Sequence, residues 1–151
     1  METIPQRLDA ELKEALKSRN ELKLSVLRMI KASLKNKEIE KMGILSDGEI
    51  ISVLSSMAKQ RRDSIEQFTA ADRLDLAEKE TKELEVVLSY LPAQLSPEEL
   101  DRIISSAIRE CNASAPGDMG KVMKIVAPLT KGKADGKIVN NRVKELLGAA
   151  P

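Results

Sequence analysis

Only two aromatic side chains, Phe68 and Tyr90, are present among the 151 residues of the chain, and there is no tryptophan. Sheets draw on aromatic and β-branched side chains to pack their pleated surfaces, whereas Leu, Ala, Glu and Lys, which are plentiful here, favour helices. Apolar residues make up 42% of the chain, which is enough to build a packed core. The composition therefore predicts helices rather than strands.

In the first half of the chain, apolar residues recur with the helical period and predict four helices. Gly43 is a plausible end for the second helix, and Ser46 with Glu49 forms a capping box for the third. A break is expected near Ala71 and Asp72. The four apolar stripes are Leu8, Leu12, Ala15 and Leu16; Leu24, Leu27, Ile30 and Leu34; Ile50, Val53, Leu54, Met57, Ile65 and Phe68; and Leu84, Val87, Leu88 and Leu91.

The segment 91–97 contains two prolines within six residues, Pro92 and Pro97, and this density predicts a linker. We place the domain boundary there, with an N-terminal domain at 1–92 and a C-terminal domain at 93–151. Ser96, Pro97 and Glu99 then supply an N-cap, a first-turn proline and a capping-box acid for the next helix.

Three helices are predicted after the linker. Pro128 is expected to end or kink the second of them, and Asp135 can cap the third. Their apolar stripes are Leu100, Ile103, Ile104, Ala107, Ile108 and Cys111; Met119, Val122, Met123 and Val126; and Val139, Val143, Leu146 and Leu147. The expected fold class is all-α, with two unlike helical bundles: a larger N-terminal one and a small three-helix C-terminal one.

Several classes of function are disfavoured by composition. The chain has no histidine, which excludes histidine triads and zinc sites, and its single cysteine, Cys111, cannot form an internal disulfide. No calcium-loop pattern is present. We therefore expect no catalytic, cofactor-binding or metal-binding residues. No apolar run approaches the ~20 residues of a membrane helix, and the charged start does not resemble a signal peptide, so we expect a cytoplasmic protein without a membrane partner.

Charge is balanced overall, at 25 basic and 24 acidic residues, but it is unevenly distributed. Residues 17–41 hold eight bases against three acids, and residues 63–85 hold eight acids against three bases. These two segments are expected to neutralise one another within the N-terminal bundle.

The last part of the chain, residues 119–151, holds seven bases against Asp135 and Glu145. Such a surface attracts a polyanion without reading its sequence. A set of lysines also simply solubilises a small bundle, and charge alone does not separate these two interpretations. The candidate RNA-binding residues are Lys121, Lys124, Lys131, Lys133, Lys137 and Arg142.

Arg61 falls in the middle of the apolar face of the third helix, where a charged group needs a partner. A structural ion pair with an acid from a neighbouring helix is the favoured explanation, and a ligand site is the alternative.

Four ordered blocks of the sequence resemble the YqeY family, the stand-alone relatives of the tail domain in the B subunit of the glutamyl/aspartyl-tRNA amidotransferase. The blocks are LRMIKASLKNKEIE at 27–40, KQRRDSIEQFTAADRLDLAEKETKELEVVLSYLPAQLS at 59–96, DMGKVMK at 118–124 and KGKADGKIVNNRVKELL at 131–147. The resemblance implies a fold of two unlike helical bundles and kinship with a machine that handles tRNA. The catalytic domain of the B subunit and the signature of the amide-hydrolysing subunit have no counterpart here.

Three hypotheses follow. The first is a non-catalytic tRNA-binding or tRNA-associated module that uses the basic C-terminal helices. The second is an adaptor that binds a protein partner, such as an amidotransferase or synthetase component. The third, and least favoured, is an accessory to carbon-nitrogen ligase activity with glutamine as the amide donor, because the chain offers few reactive side chains.

Overall fold

The computed structural model describes residues 2–148, which form seven α-helices and no strand. A short 3-10 turn at Pro116–Asp118 precedes the sixth helix. The helices are α1 Ile4–Lys17, α2 Glu21–Lys41, α3 Asp47–Ala70, α4 Leu74–Leu88, α5 Pro97–Glu110, α6 Met119–Thr130 and α7 Gly136–Gly148. The predicted all-α fold class is confirmed.

The chain divides into two compact units, the first ending at Pro92 and the second beginning at Ala93. The first unit contains α1 to α4 and the second contains α5 to α7. Each has its own cluster of buried apolar side chains, with Leu27, Ile30 and Leu54 inside the first and Ile104, Val126 and Val143 inside the second. That each unit folds as an independent domain stays a prediction.

Two helices begin with the capping boxes that the sequence indicates. The hydroxyl of Ser46 accepts a hydrogen bond from the Glu49 N–H at 3.2 Å, and the Glu49 carboxylate accepts from the Ser46 N–H at 2.7 Å. Ser96 and Glu99 form the same pair of bonds at 3.2 and 3.0 Å. Because each box satisfies two backbone donors that the helix leaves unpaired, α3 and α5 start at defined residues.

Two helix ends differ from expectation. The residue in the left-handed conformation after α2 is Met42, at φ 62°, rather than Gly43. Gly43 instead donates its N–H to the carbonyl of Glu38 at 3.1 Å, which satisfies a terminal carbonyl. Pro128 does not end α6, since the helix continues for two more residues to Thr130, and a kink at this proline stays a prediction.

The lysines of α2 are neutralised mostly by acids close to them. α2 packs against α4, yet the ion pairs of its lysines run to α1, within α2 and to the start of α3. These pairs are Lys23–Glu11, Lys31–Asp9, Lys35–Glu38, Lys37–Glu40 and Lys41–Glu49. In these five pairs the acids lie outside the segment 63–85, and neutralisation of α2 by that segment stays a prediction.

Arg61 is buried in the first unit, with 6% of its surface exposed. Its Nε lies 3.8 Å from Oε2 of Glu83 on α4, and its Nη2 contacts Sδ of Met29 at 3.6 Å. Glu83 is buried as well. The structure thus provides the acid from a neighbouring helix that the position of Arg61 requires, and it gives this arginine a structural partner.

A polar cluster joins α1 to the end of α4. The Tyr90 O–H donates to the carboxylate of Glu11, which also accepts from Nε of Arg7 at 3.0 Å. The Arg7 guanidinium lies 4.4 Å from the centre of the Tyr90 ring. Burial alone would raise the pKa of Glu11, but the hydrogen bonds from Tyr90 and Arg7 outweigh it and hold that pKa below its ordinary value.

Replacing Arg61 with methionine should destabilise the first unit by about 3 kcal/mol, because Glu83 would be left as a buried acid without its cation. The double change Arg61→Met, Glu83→Leu removes both charges and should recover most of the loss. Urea unfolding followed by circular dichroism measures both free energies. Equal destabilisation by the single and double variants would show that the pair has no such coupling.

Replacing Glu11 with glutamine should lower the free energy of unfolding at about pH 7, and the difference from wild type should shrink as the pH falls toward about 3. A carboxyl whose pKa is lower in the folded state stabilises that state above its unfolded pKa, and this contribution is lost as the pH falls through the folded pKa. Urea unfolding at a series of pH values measures it. A difference that does not change with pH is the contrary result.

Candidate nucleic-acid interface

In the KGKADGK segment, residues 131–135 form a tight turn between α6 and α7, and Gly136 and Lys137 are the first two residues of α7. Gly132 has φ 76°, in the left-handed region that glycine adopts without steric cost. The N–H groups of Lys133 and Ala134 both donate to the carbonyl of Thr130, at 2.9 and 3.1 Å. The backbone of the turn is therefore closed on the last residue of α6.

The linker residues of the second unit hold this turn in place. The side-chain amide of Gln94 donates to the carbonyl of Gly132 at 2.9 Å, and the N–H of Leu95 donates to the carbonyl of Lys133 at 2.8 Å. These bonds occupy the inner side of the turn, while the side chains of Lys131 and Lys133 are exposed. The turn thus presents two lysines on a fixed backbone.

Asp135 caps α7 as the sequence indicates. Its carboxylate accepts from the Lys137 N–H at 3.2 Å, and its carbonyl accepts from the Val139 N–H at 3.0 Å. A phosphate at this helix start would compete with the carboxylate for the same donor and would meet its negative charge. An anion would therefore contact the lysine side chains around the turn and not the backbone N–H groups at the start of α7.

On α6, the exposed face carries Lys121 and Lys124. Val122, Val126 and Thr130 form the buried face. Lys124 lies seven residues before Lys131, the first residue after α6, which is a separation of about 10 Å at the helical rise per residue. Lys121 lies at the other end of α6, about 15 Å from Lys131 at the helical rise per residue.

Lys121 also has an acid beside it. Its Nζ lies 3.6 Å from Asp118, whose carboxylate accepts from the N–H groups of Ser114 and Ala115 at 3.0 and 3.3 Å. Those two backbone hydrogen bonds, with a smaller contribution from Lys121, lower the pKa of Asp118. Lys121 is thus less available to an anion than the other lysines of this end of the chain.

Arg142 is bonded to two acids. Its Nε and Nη2 donate to the two carboxylate oxygens of Asp101 on α5 at 2.6 and 2.8 Å, and its Nη1 donates to Glu145 at 2.7 Å. These bonds raise the pKa of Arg142 and lower that of Asp101. Bidentate geometry of this kind joins α5 to α7, so we assign Arg142 a structural part in the candidate interface.

One exposed lysine was missing from the predicted set. Lys144 lies on α7 seven residues after Lys137, on the side of the helix opposite Val139 and Val143. The signal was available in the sequence, since the period of the buried valines already places Lys137 and Lys144 on one outward face. The structure therefore extends the basic surface along α7.

Within residues 2–148, no three His, Cys, Asp or Glu side chains come together in a way that could hold a metal ion. In the same residues, every helix is too short or too polar to cross a membrane.

The chain is similar to known proteins over most of its length. A family model described as "Yqey-like protein" matches residues 5–147. "Altered inheritance of mitochondria protein 41, mitochondrial" from Pyrenophora tritici-repentis is 34% identical over 150 residues, which cover 95% of this chain and 80% of the relative. The protein of the same name from Lachancea thermotolerans is 34% identical over 113 residues, covering 72% and 60%, and that from Clavispora lusitaniae is 33% identical over 120 residues, covering 78% and 70%.

The names of these relatives contradict the cytoplasmic location expected from the sequence, since each is called a mitochondrial protein. That expectation was wrong for a physical reason. An apolar segment marks secreted and membrane proteins, so its absence argues only against those two classes. Import into an organelle is directed by a separate targeting segment and does not change the composition of the folded domain.

The family model spans both units, including the linker, the lysine turn and the helix that follows it. The similarity to a relative that is 34% identical extends over 95% of the chain, so it does not depend on a single motif. The chain belongs to the YqeY family.

Proposed function

We propose that the second unit is a non-catalytic module that binds the backbone of a folded RNA, with tRNA as the favoured partner. One observation carries the proposal. Among the residues that the structure describes, Lys124, Lys131, Lys133 and Lys144 are exposed and have no acidic partner, while Arg142 in the same unit is held by two acids.

Lysine side chains of this kind suit phosphate rather than bases. An ammonium group is a compact charge on a flexible stem, so it can meet a phosphate without a fixed geometry. Base stacking would need an aromatic platform, and both aromatic residues of the chain lie in the first unit, where Tyr90 is buried. The proposed interaction is therefore with the shape and charge of the RNA backbone, and it releases counterions.

The family resemblance supports tRNA over other RNAs. The turn and α7 lie in the block that resembles the tail domain of the tRNA amidotransferase B subunit, and that domain belongs to an enzyme acting on charged tRNA. The relatives cited above are matched over 60 to 80% of their own length, and their names state no RNA partner. The RNA partner is thus a proposal for this chain.

Changing Lys124, Lys131 and Lys133 to alanine should weaken tRNA binding and reduce the slope of log K against log salt concentration by about 3, one unit for each lost phosphate contact. Fluorescence anisotropy with labelled tRNA at several salt concentrations measures both quantities. A matched control changes Lys13, Lys17 and Lys59, which are equally charged and exposed in the first unit, and should leave the slope near that of wild type. The proposal fails if wild type does not bind at low salt, or if the two triple variants lose affinity equally.

A second candidate is an adaptor for a protein such as an amidotransferase or synthetase component. It is favoured by Leu129 and Ile138, which flank the lysine turn and are both about half exposed. Changing both to serine should then abolish capture of an amidotransferase or synthetase component from extract, and the wild-type complex should survive nuclease and high salt, because apolar contacts are not screened. A complex that nuclease destroys would favour RNA instead.

A further inference from the structure

Two asparagines, Asn140 and Asn141, lie side by side in the middle of α7. Both side chains are exposed, and neither side-chain amide has a hydrogen-bond partner among residues 2–148. Asparagine is one of the weaker helix formers, because its side chain competes for backbone hydrogen bonds. The pair therefore adds no evident stability to α7.

The two asparagines lie between two lysines on the outward face of the helix. Asn140 is three residues after Lys137 and four before Lys144. For Asn141 the two spacings are four and three. Residues three or four apart are neighbours on a helix surface, so the two amides lie on either side of the line that joins the lysines. The two lysines are separated by about 10 Å along the helix axis.

The acids near this face are engaged within the chain. Residues 131–148 contain two of them, Asp135 and Glu145. The Asp135 carboxylate accepts from the Lys137 N–H at 3.2 Å, and Glu145 accepts from Nη1 of Arg142 at 2.7 Å. The face thus combines positive charge with two neutral amides. Such a combination suits a ligand that carries phosphates and neutral hydrogen-bonding groups next to one another.

The sugar-phosphate backbone of RNA has both kinds of group. In A-form RNA, the wide and shallow minor groove displays the ribose 2′-hydroxyls, and side chains can reach them there. A side-chain amide has a donor and an acceptor, so it can bond to a hydroxyl in either role, whereas an ammonium group can only donate. Asparagines among lysines are therefore suited to the ribose as well as to the phosphate.

We propose that Asn140 and Asn141 bind ribose 2′-hydroxyl groups of RNA, while Lys144 meets an adjacent phosphate. Their role depends on the RNA binding proposed for the second unit, and it makes α7 the element that distinguishes RNA from DNA. The lysines alone cannot do so, because both nucleic acids carry phosphate charge. The 2′-hydroxyl is the group by which a protein tells the two apart.

Fluorescence anisotropy with two labelled RNAs tests the proposal: a tRNA transcript, and a copy methylated at every ribose 2′-oxygen. The copy keeps the sequence and the phosphates but lacks the hydroxyl donors. Wild type should bind the unmodified transcript about tenfold more tightly, as expected for one or two hydrogen bonds. The variant Asn140→Ala, Asn141→Ala should bind the two RNAs equally. Its salt slope should remain that of wild type, because no charge is removed.

A matched control, Asn36→Ala with Gln60→Ala, removes two exposed amides from the first unit and should keep the preference of wild type. Urea unfolding should show that Asn140→Ala, Asn141→Ala is at least as stable as wild type, because alanine is the better helix former. A loss of stability would assign the asparagines to the fold and overturn the proposal.

Equal binding of the two RNAs by wild type overturns the role of the asparagines but leaves RNA binding by the lysines standing. A preference that the double asparagine variant retains has the same meaning. Failure of wild type to bind either RNA at low salt is a different result, because it overturns the RNA-binding module itself and the role of the asparagines with it.

Discussion

The three helices α5, α6 and α7 bury aliphatic side chains against one another, and this packing determines which faces of the helices are left for basic side chains. Val122 and Val126 on α6 pack with Val139, Val143 and Leu147 on α7, and each of these is almost fully buried. Because the apolar face of each helix packs on the core, the lysines on the opposite face are exposed to solvent. Removing one buried valine methyl group would lower the stability of the unit slightly. Rotating either helix about its axis would be far more costly, because it would expose all of these buried side chains at once.

Once this packing is fixed, the acids of the second unit divide its cations into two groups. Asp101 and Glu145 hold Arg142 in a planar, bidentate arrangement that suits a guanidinium and joins two helices. Lys131 and Lys133 have no such partner, and their flexible stems would gain little from one, because an exposed ion pair contributes at most about 1 kcal/mol. The arginine therefore belongs to the architecture, whereas the lysines are available to a ligand. The number of basic residues in 119–151 could not separate the arginine held by acids from the unpaired lysines, because all seven bases count equally in the net charge.

Local signals in the sequence predicted local structure well. The capping boxes at Ser46 and Ser96 and the cap at Asp135 depend on residues two or three positions away, so their partners could be found directly in the sequence. The apolar periods located all seven helices for the same reason, and the position of Arg61 on an apolar face was enough to require a buried partner.

Contacts between residues far apart in the chain could not be found in this way. Asp101 lies 41 positions from Arg142 and Gln94 lies 38 positions from Gly132, and nothing in one segment marks the other as its partner. The left-handed Met42 was missed because Gly43 next to it is the residue type that usually takes that conformation. For the candidate interface, the sequence therefore identified the basic residues, but it could not show which of them the fold would use for itself.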